Sequence, residues 1–369
     1  MITAMNAVVA ERTFVRSDLV ILGGGAAAVV LAAVTHFAGA GAVLPFVCSA
    51  AAVTLLASLV GRSVEQLGDR FGPGATGVLQ SALGNLPELF IALFALKAGL
   101  VAVVQAALIG SILANLLLVL GLAFLVGGLK HGTQQLDSER ARSIIVLMVL
   151  SVAAMVVPSL AFYVHTPAEP HESTLSIIVS VVLLVLFALT LPASLRKQQA
   201  GSAAGEPGEA TESEAPRWPM WLAVGLLALA AVAAAFVSDW FVSALEPAME
   251  ALNISEAFAG LVVVAIAGNA IENVVGVQLA AAGRSEYAFS VVINSPMQIA
   301  LVLAPLLVIL SQVFGFATLT LVFPPMLVVA VVIAVILTAF ITFDGESTWI
   351  EGAALIAVYI VIAASFWWG

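Results

Sequence analysis

GNLPEL, Gly84 to Leu89, lies inside an apolar run, and GNAIEN, Gly268 to Asn273, repeats its pattern inside another. Each copy sets an Asn and a Glu three residues apart, Asn85 with Glu88 and Asn269 with Glu272. On a helix that spacing puts both oxygen-bearing side chains on one face. The glutamates are 272 − 88 = 184 residues apart. A charged side chain in the middle of a membrane span costs roughly 2.5–3.5 kcal/mol on insertion scales, so an intramembrane carboxylate is kept for a function. Two of them at matching places imply one cation site formed where two halves of the chain meet.

The surroundings make these runs membrane spans. Of 369 residues, 62% are hydrophobic and 9% charged, and the mean hydropathy is +1.16. A spanning helix needs about 20 predominantly apolar residues. Eleven such stretches are legible, at about 18–36, 43–61, 74–97, 101–128, 143–164, 173–195, 219–238, 256–282, 286–312, 316–342 and 349–368. The expected fold is therefore an all-α polytopic membrane protein of about 11 transmembrane helices. One leading helix precedes two inverted five-helix repeats. The domains are a leader and accessory helix (1–42), a first repeat (43–195), an acidic linker (196–217) and a second repeat (218–369).

Cytoplasmic loops carry the excess of Lys and Arg. With the N-terminus inside, Arg12, Arg16, Arg62, Arg70, Lys130, Arg140, Arg142, Arg196, Lys197, Arg217 and Arg284 all fall inside, and Lys97 alone falls outside. The chain therefore reads as N-in and C-out. Its net charge of −10 comes partly from Glu169, Glu172, Asp239, Glu246, Glu250 and Glu256 in the outer loops. These form either an acidic mouth that concentrates cations or ordinary solvated loop charge. The opening MITAMNAVVAERTFVRSDL has charges where a signal peptide would be apolar, so no cleaved signal is expected. Ala- and Val-rich spans and a short N-terminus suggest a prokaryotic plasma membrane. The single cysteine, Cys48, excludes an internal disulfide framework and a thiolate cluster, and reads as a small buried residue.

Along the chain, the first span, rich in Gly and Ala, is expected to lack acidic residues and reads as an accessory helix. The second ends in GRSVEQLGDRF, where Arg62, Glu65, Asp69 and Arg70 are spaced for ion pairs on an amphipathic turn. In the third, Gly84 lets backbone approach closely and Pro87 removes an N–H, which together predict a broken or kinked helix at mid-membrane. Carbonyls freed there, those of Gly84 and Gly268 included, are the ligands a desolvated hard cation requires. The fourth span carries Gln105, Ser111 and Asn115 in apolar sequence, of which Ser111 and Asn115 suit a lining role. Pro158 and Pro192 mark kinks or helix ends. The linker's Glu206, Glu209, Glu212 and Glu214 read as a solvated spacer rather than a cation sensor. In the second half, Asn294, Ser295, Pro296 and Gln298 follow the GNAIEN span. The steps 111 − 88 = 23 and 295 − 272 = 23 are equal, so the repeat holds over two consecutive spans. Spans three and eight run in opposite directions, which is the signature of an alternating-access carrier with a midplane site.

GNLPELFIALFALKAGL followed by GSILANLLLVLG, and GNAIEN followed by SPMQIAL, resemble the two alpha-repeats of the cation/calcium exchanger superfamily, most nearly those of the calcium/proton (CAX-type) exchangers. The resemblance covers most of the chain from residue 43. It implies that Glu88 and Glu272 bind the cation and exchange it for protons, with Asn85 and Asn269 as oxygen ligands. Ser111 and Ser295 with the Gly84 and Gly268 carbonyls complete the metal set, and Asn115, Asn273 and Gln298 stand around it. The family's second motif usually has His after the Glu where this chain has Asn273, and a Gly-Ser-Ser-like turn where it has Asn294, Ser295 and Pro296.

Two carboxylates in a low-dielectric site cannot both stay ionised without a neutralising partner. Ca2+ provides one and protons provide another, so their competition couples the two fluxes. Mg2+ suits the site less because it sheds water reluctantly, and Na+ is the rival cargo or counter-ion. No other cofactor, and no nucleic acid, is called for. The partners are the ions and the lipid. His36, His131, His165 and His171 lie at span ends or loops, which disfavours a His-ligated buried metal and with it a zinc hydrolase. The absence of a Gly-Lys phosphate loop disfavours a nucleotide-driven pump. A channel differs in passing current without proton movement.

Overall fold

Lipid provides no hydrophobic drive between helices, so a chain this apolar must bring its helices together by close packing and by satisfying buried polar groups. The computed structural model describes residues 14–71, 83–136, 138–204 and 217–368, without the side chains of 69, 71, 138–141, 191–204 and 270–272. Among the described residues there are eleven helical stretches of twelve residues or more: α1 (Arg16–Phe37), α2 (Val43–Phe71), α3 (Leu86–Lys97), α4 (Val101–His131), α5 (Ser138–Tyr163), α6 (Glu172–Ala204), α7 (Met220–Leu252), α8 (256–281), α9 (Ser285–Val313), α10 (Pro325–Ile341) and α11 (Trp349–Ser365). Of these, α1, α2, α4, α5, α6, α7 and α9 are long and apolar enough to cross a membrane singly, α8 does so as a bent pair, and α10 and α11 are shorter apolar helices. Gln134–Gln135 (β1) and Glu346–Ser347 (β2) form a two-residue antiparallel pair. Large apolar side chains such as Phe37, Trp221 and Phe340 face outward, as lipid contact requires in an integral membrane protein.

Four boundaries differ from the sequence expectation. The second span does not end at 61: α2 runs to Phe71, because Val60, Val64 and Leu67 continue a buried stripe and no breaker intervenes. The seventh span does not end at 238: α7 runs to Leu252, with Phe241, Leu245 and Ala248 continuing its buried face. The tenth does not begin at 316. Residues 317–324 are non-helical, with Leu319, Leu321 and Phe323 fully buried, and α10 starts at the Pro324–Pro325 pair. Such backbone survives in a membrane only if its polar groups are paired. Here Ser311 and Ser176 accept from the Leu319 and Leu321 amides, at 3.2 and 3.0 Å. The Ser159 hydroxyl accepts from Phe323 N at 2.9 Å and donates to the Leu321 carbonyl at 2.9 Å. Gln105 donates to Thr320 O and Val322 O at 3.2 and 2.8 Å, so it braces this segment. The linker also starts later than 196, since α6 continues to Ala204. Its four glutamates, and residues 1–13 with Arg12, lie outside the described residues. Pro158 sits within α5 rather than at its end.

The first helix holds an acid after all. Asp18 is buried in the first turn of α1, caps Val15 N at 3.1 Å, and pairs with Arg62 Nε of α2 at 3.3 Å. Arg62 also pairs with Glu65 at 3.2 Å, an i,i+3 contact. Four residues on, Gln66 Oε1 accepts from the Arg217 and Trp218 amides at 2.9 and 3.0 Å, which moors the start of the second half to α2. Glycines set the closest crossings. A Cβ on Gly110 would collide with the Leu261 backbone and one on Gly260 with the Val103 carbonyl, so α4 and α8 touch backbone to backbone. Gly121 and Gly352 do the same for α4 and α11. These are the small-residue contacts that let membrane helices approach.

Candidate cation site

Both motifs sit where a helix gives way. Gly84 and Asn85 form a turn, Asn85 caps α3, and Pro87 falls in the first turn, where its missing N–H removes no helix bond. Glu88 follows in that same first turn, at the positive end of the helix dipole. The second motif has no proline and its helix bends instead: the axis turns by 62° between Glu256–Asn269 and Asn273–Ala281. Glu272 lies in this bend, and its side chain is outside the described residues.

The motifs meet at Gly268. A Cβ there would stand 2.8 Å from Glu88 Cγ and 3.4 Å from its Cδ and Oε1. The Glu88 carboxyl is thus seated on the backbone of the opposite half's motif, and only glycine leaves it room. Beside it, Asn269 Nδ2 donates to Ser111 Oγ at 2.9 Å and to Ala265 O at 2.9 Å. Asn269 Oδ1 accepts from Ser295 Oγ at 3.2 Å and from Asn115 Nδ2 at 3.3 Å. Asn115 Nδ2 also reaches Ser295 Oγ at 3.3 Å and Ser111 O at 2.9 Å. Four of the expected residues, Asn269, Ser111, Ser295 and Asn115, therefore form one buried network. Asn85 stands apart from it and donates to Gln298 Oε1 at 3.4 Å, tying α3 to α9.

Asn115 Oδ1 and Asn273 Oδ1 are buried with no hydrogen-bond partner among the described residues. Unpaired buried oxygens call for an explanation, and an ion is one. Asn269 Oδ1, by contrast, already accepts two bonds. The helices that bring in the serines share a further feature: α4 turns π-helical at Ala114–Val119 and α9 at Ile299–Leu303, starting three and four residues past Ser111 and Ser295. Single π turns of this kind cluster at functional sites.

Glu88 and Ser111 line the inner end of a small cavity whose other walls are apolar. It runs along α3 to Ala95, along α4 to Val103 and beside Leu245 of α7, toward the end where α3 and α4 join. No group of three His, Cys, Asp or Glu side chains gathers among the described residues. The histidines stay peripheral. His36 stacks on Trp240, His131 meets Ala281 O at 3.1 Å, and His165 pairs with Glu169 at 2.9 Å. Sequence reasoning missed Thr54, whose hydroxyl on α2 donates to Ala267 O at 3.1 Å, one residue before Gly268.

Comparison with known proteins follows the same lines. The sodium/calcium exchanger protein family model matches residues 41–195 and 222–368. A Ca(2+)/H(+) antiporter of Aphanothece halophytica is 35% identical over 333 residues, 87% of this chain and 89% of that protein. The Ca(2+)/H(+) antiporter ChaA of Bacillus subtilis is 36% identical over 315 residues, 85% and 89% of the two chains. Among solved structures, native YfkE superposes with a TM-score of 0.79 at 33% identity, covering 94% of this chain and 99% of its own. The H+/Ca2+ exchanger CAX, at 17% identity and a TM-score of 0.72 over 94% and 91%, shares the fold. With both motifs inside the matched stretches and meeting at Gly268, the chain belongs to the sodium/calcium exchanger family of membrane ion transporters.

Proposed function

We propose that the protein is a secondary antiporter that exchanges Ca2+ for protons by alternating access, with Glu88 and Glu272 as the groups both ions compete for. The observation that carries this reading is the seating of Glu88 against Gly268, which puts one half's carboxylate on the other half's motif. Relatives that match along most of the chain are named Ca(2+)/H(+) antiporters, which supports the choice of ions. Buried, unpaired Oδ1 atoms on Asn115 and Asn273 provide neutral oxygens of the kind a dehydrated Ca2+ takes. The two carboxylates then carry either the ion or protons, and the site moves only when its charge is neutralised.

In this reading the eleven helical stretches are eleven spans, α2–α6 and α7–α11 are inverted halves, and the N-terminus is cytoplasmic in a prokaryotic plasma membrane. The cavity beside Glu88 then faces outward, because Lys97 and the α3–α4 join fall on the outer side. Lipid covers the exposed apolar faces. The test is Ca2+ uptake by inside-out vesicles with an acid interior. Glu88→Gln and Glu272→Gln each lose uptake about 100-fold or more if they bear the chemistry, since a neutral amide can neither exchange a proton nor balance the ion. Wild-type uptake in either variant defeats the assignment. Competition by protons also predicts that half-saturating Ca2+ rises as the pH on the binding side falls.

A further inference from the structure

Serines in these helices commonly hand their hydroxyl proton to the carbonyl four residues back, as Ser58, Ser63, Ser151 and Ser180 do. Ser49 of α2 has no such partner among the described residues, and neither does Ser238 of α7. Ser238 is fully buried, and its Oγ has no partner among the described residues. The register that pairs Glu88 with Glu272 pairs Ser238 with Thr54, since 238 − 54 = 184. Thr54 is engaged: it holds the carbonyl of Ala267, the residue before Gly268. By the same register the carbonyl matching Ala267 belongs to Leu83, the residue before Gly84, since 267 − 184 = 83.

We propose that Thr54 and Ser238 are paired positioning residues, each holding the carbonyl that precedes the opposite half's motif, with only one of the two bonds closed in a given conformation. This rests on the alternating-access reading above. Here the Thr54 bond is closed and α2 lies against the second motif. The Ser238 bond is open, and the cavity lies on that side, between Leu245 of α7 and the Glu88–Ala95 face of α3. Leu245 is seven residues from Ser238, about 10 Å along the helix, so the cavity opens on α7 beyond Ser238, which does not itself line it. Closing the Ser238–Leu83 bond would draw α7 onto the first motif as Thr54 releases Ala267. One hydroxyl–carbonyl bond is traded for another, which leaves the two conformations close in free energy, as a carrier requires.

The test uses the full chain with Cys48→Ala and with Ala107→Cys in the cavity wall, and follows labelling by a small membrane-impermeant thiol reagent. Thr54→Val removes the bond that holds this conformation, and labelling slows about fivefold, the worth of one ordinary hydrogen bond. Ser238→Ala removes the bond that holds the other, and labelling stays at the parent rate or rises. Thr54→Ser keeps the hydroxyl and restores the parent rate, which separates loss of the bond from loss of fold. Equal shifts in Thr54→Val and Ser238→Ala, or none, overturn the pairing. Labelling requires no knowledge of the cargo. Slowed labelling in Thr54→Val without slowing in Ser238→Ala, in a protein that shows no Ca2+-driven proton flux, would therefore support the pairing while removing the Ca2+ reading, and normal flux without that difference would do the reverse.

Discussion

Gly268 is where the carboxylate of one half rests on the motif of the other. An added methyl there stands 2.8 Å from Glu88 Cγ, so Gly268→Ala must move the carboxyl. We expect the variant to fold and to lose exchange at least tenfold, since displacement of a reacting group by a fraction of an ångström up to 1 Å costs up to ~100-fold; proton flux in vesicles, set against the elution profile of the purified protein, measures both. Asn269→Ala acts differently. It leaves Ser111, Asn115 and Ser295 without their common partner, a cost of about 1–3 kcal/mol that a lowered melting temperature reports. At this scale the sequence was informative within the two repeated motifs and the spans that follow them: Glu88, Asn269, Ser111 and Ser295 all follow from the 184- and 23-residue intervals. Thr54 was opaque because a helical threonine has a carbonyl of its own helix as default partner, and nothing local directs it to Ala267 instead. Asn115 was legible as polar lining, but its free Oδ1 emerges only once its Nδ2 contacts are known.

Helices in this protein are positioned by glycines at their crossings and by serines along buried irregular backbone. Gly260→Val forces α8 away from the Val103 carbonyl of α4, and overpacking of this kind costs about 1–3 kcal/mol. The expected result is a lower melting temperature, with exchange reduced because Asn269 and Ser111 ride on those same helices. Ser159→Ala is the contrasting case. It strips Phe323 N and Leu321 O of a partner that takes no part in the Asn269 network, so stability falls while the half-saturating Ca2+ concentration stays unchanged. The long apolar helices were plain from hydropathy, and the break at Gly84–Asn85 from Gly and Pro. The start of α10 was not. Residues 316–324 are as apolar as a span, and from Leu319 to Phe323 their backbone is paired by side chains from α4, α5, α6 and α9, which a hydropathy window does not register. The α2 extension was hidden in the same way, because its polar end is held by Asp18 of α1 and by the Arg217 and Trp218 amides.

Across the whole molecule, two stretches of sequence 184 residues apart converge on one buried polar cluster with a cavity leading from its edge. The long-range moorings run between the halves: Thr54 to Ala267, Asn85 to Gln298, Gly110 to Leu261, and Gln66 to Trp218. That cross-bracing is what an exchanger needs if proton and cation are to share one site. The most direct measurement is cation-driven proton flux in proteoliposomes with an acid lumen, adding Ca2+, Na+, K+ and Mg2+ in turn to wild type and to Glu272→Gln. Lumenal alkalinisation on Ca2+ addition, weak with Mg2+ and lost in the variant, is the predicted result. A response to Na+ alone, or a Ca2+ response that survives in Glu272→Gln, would contradict it.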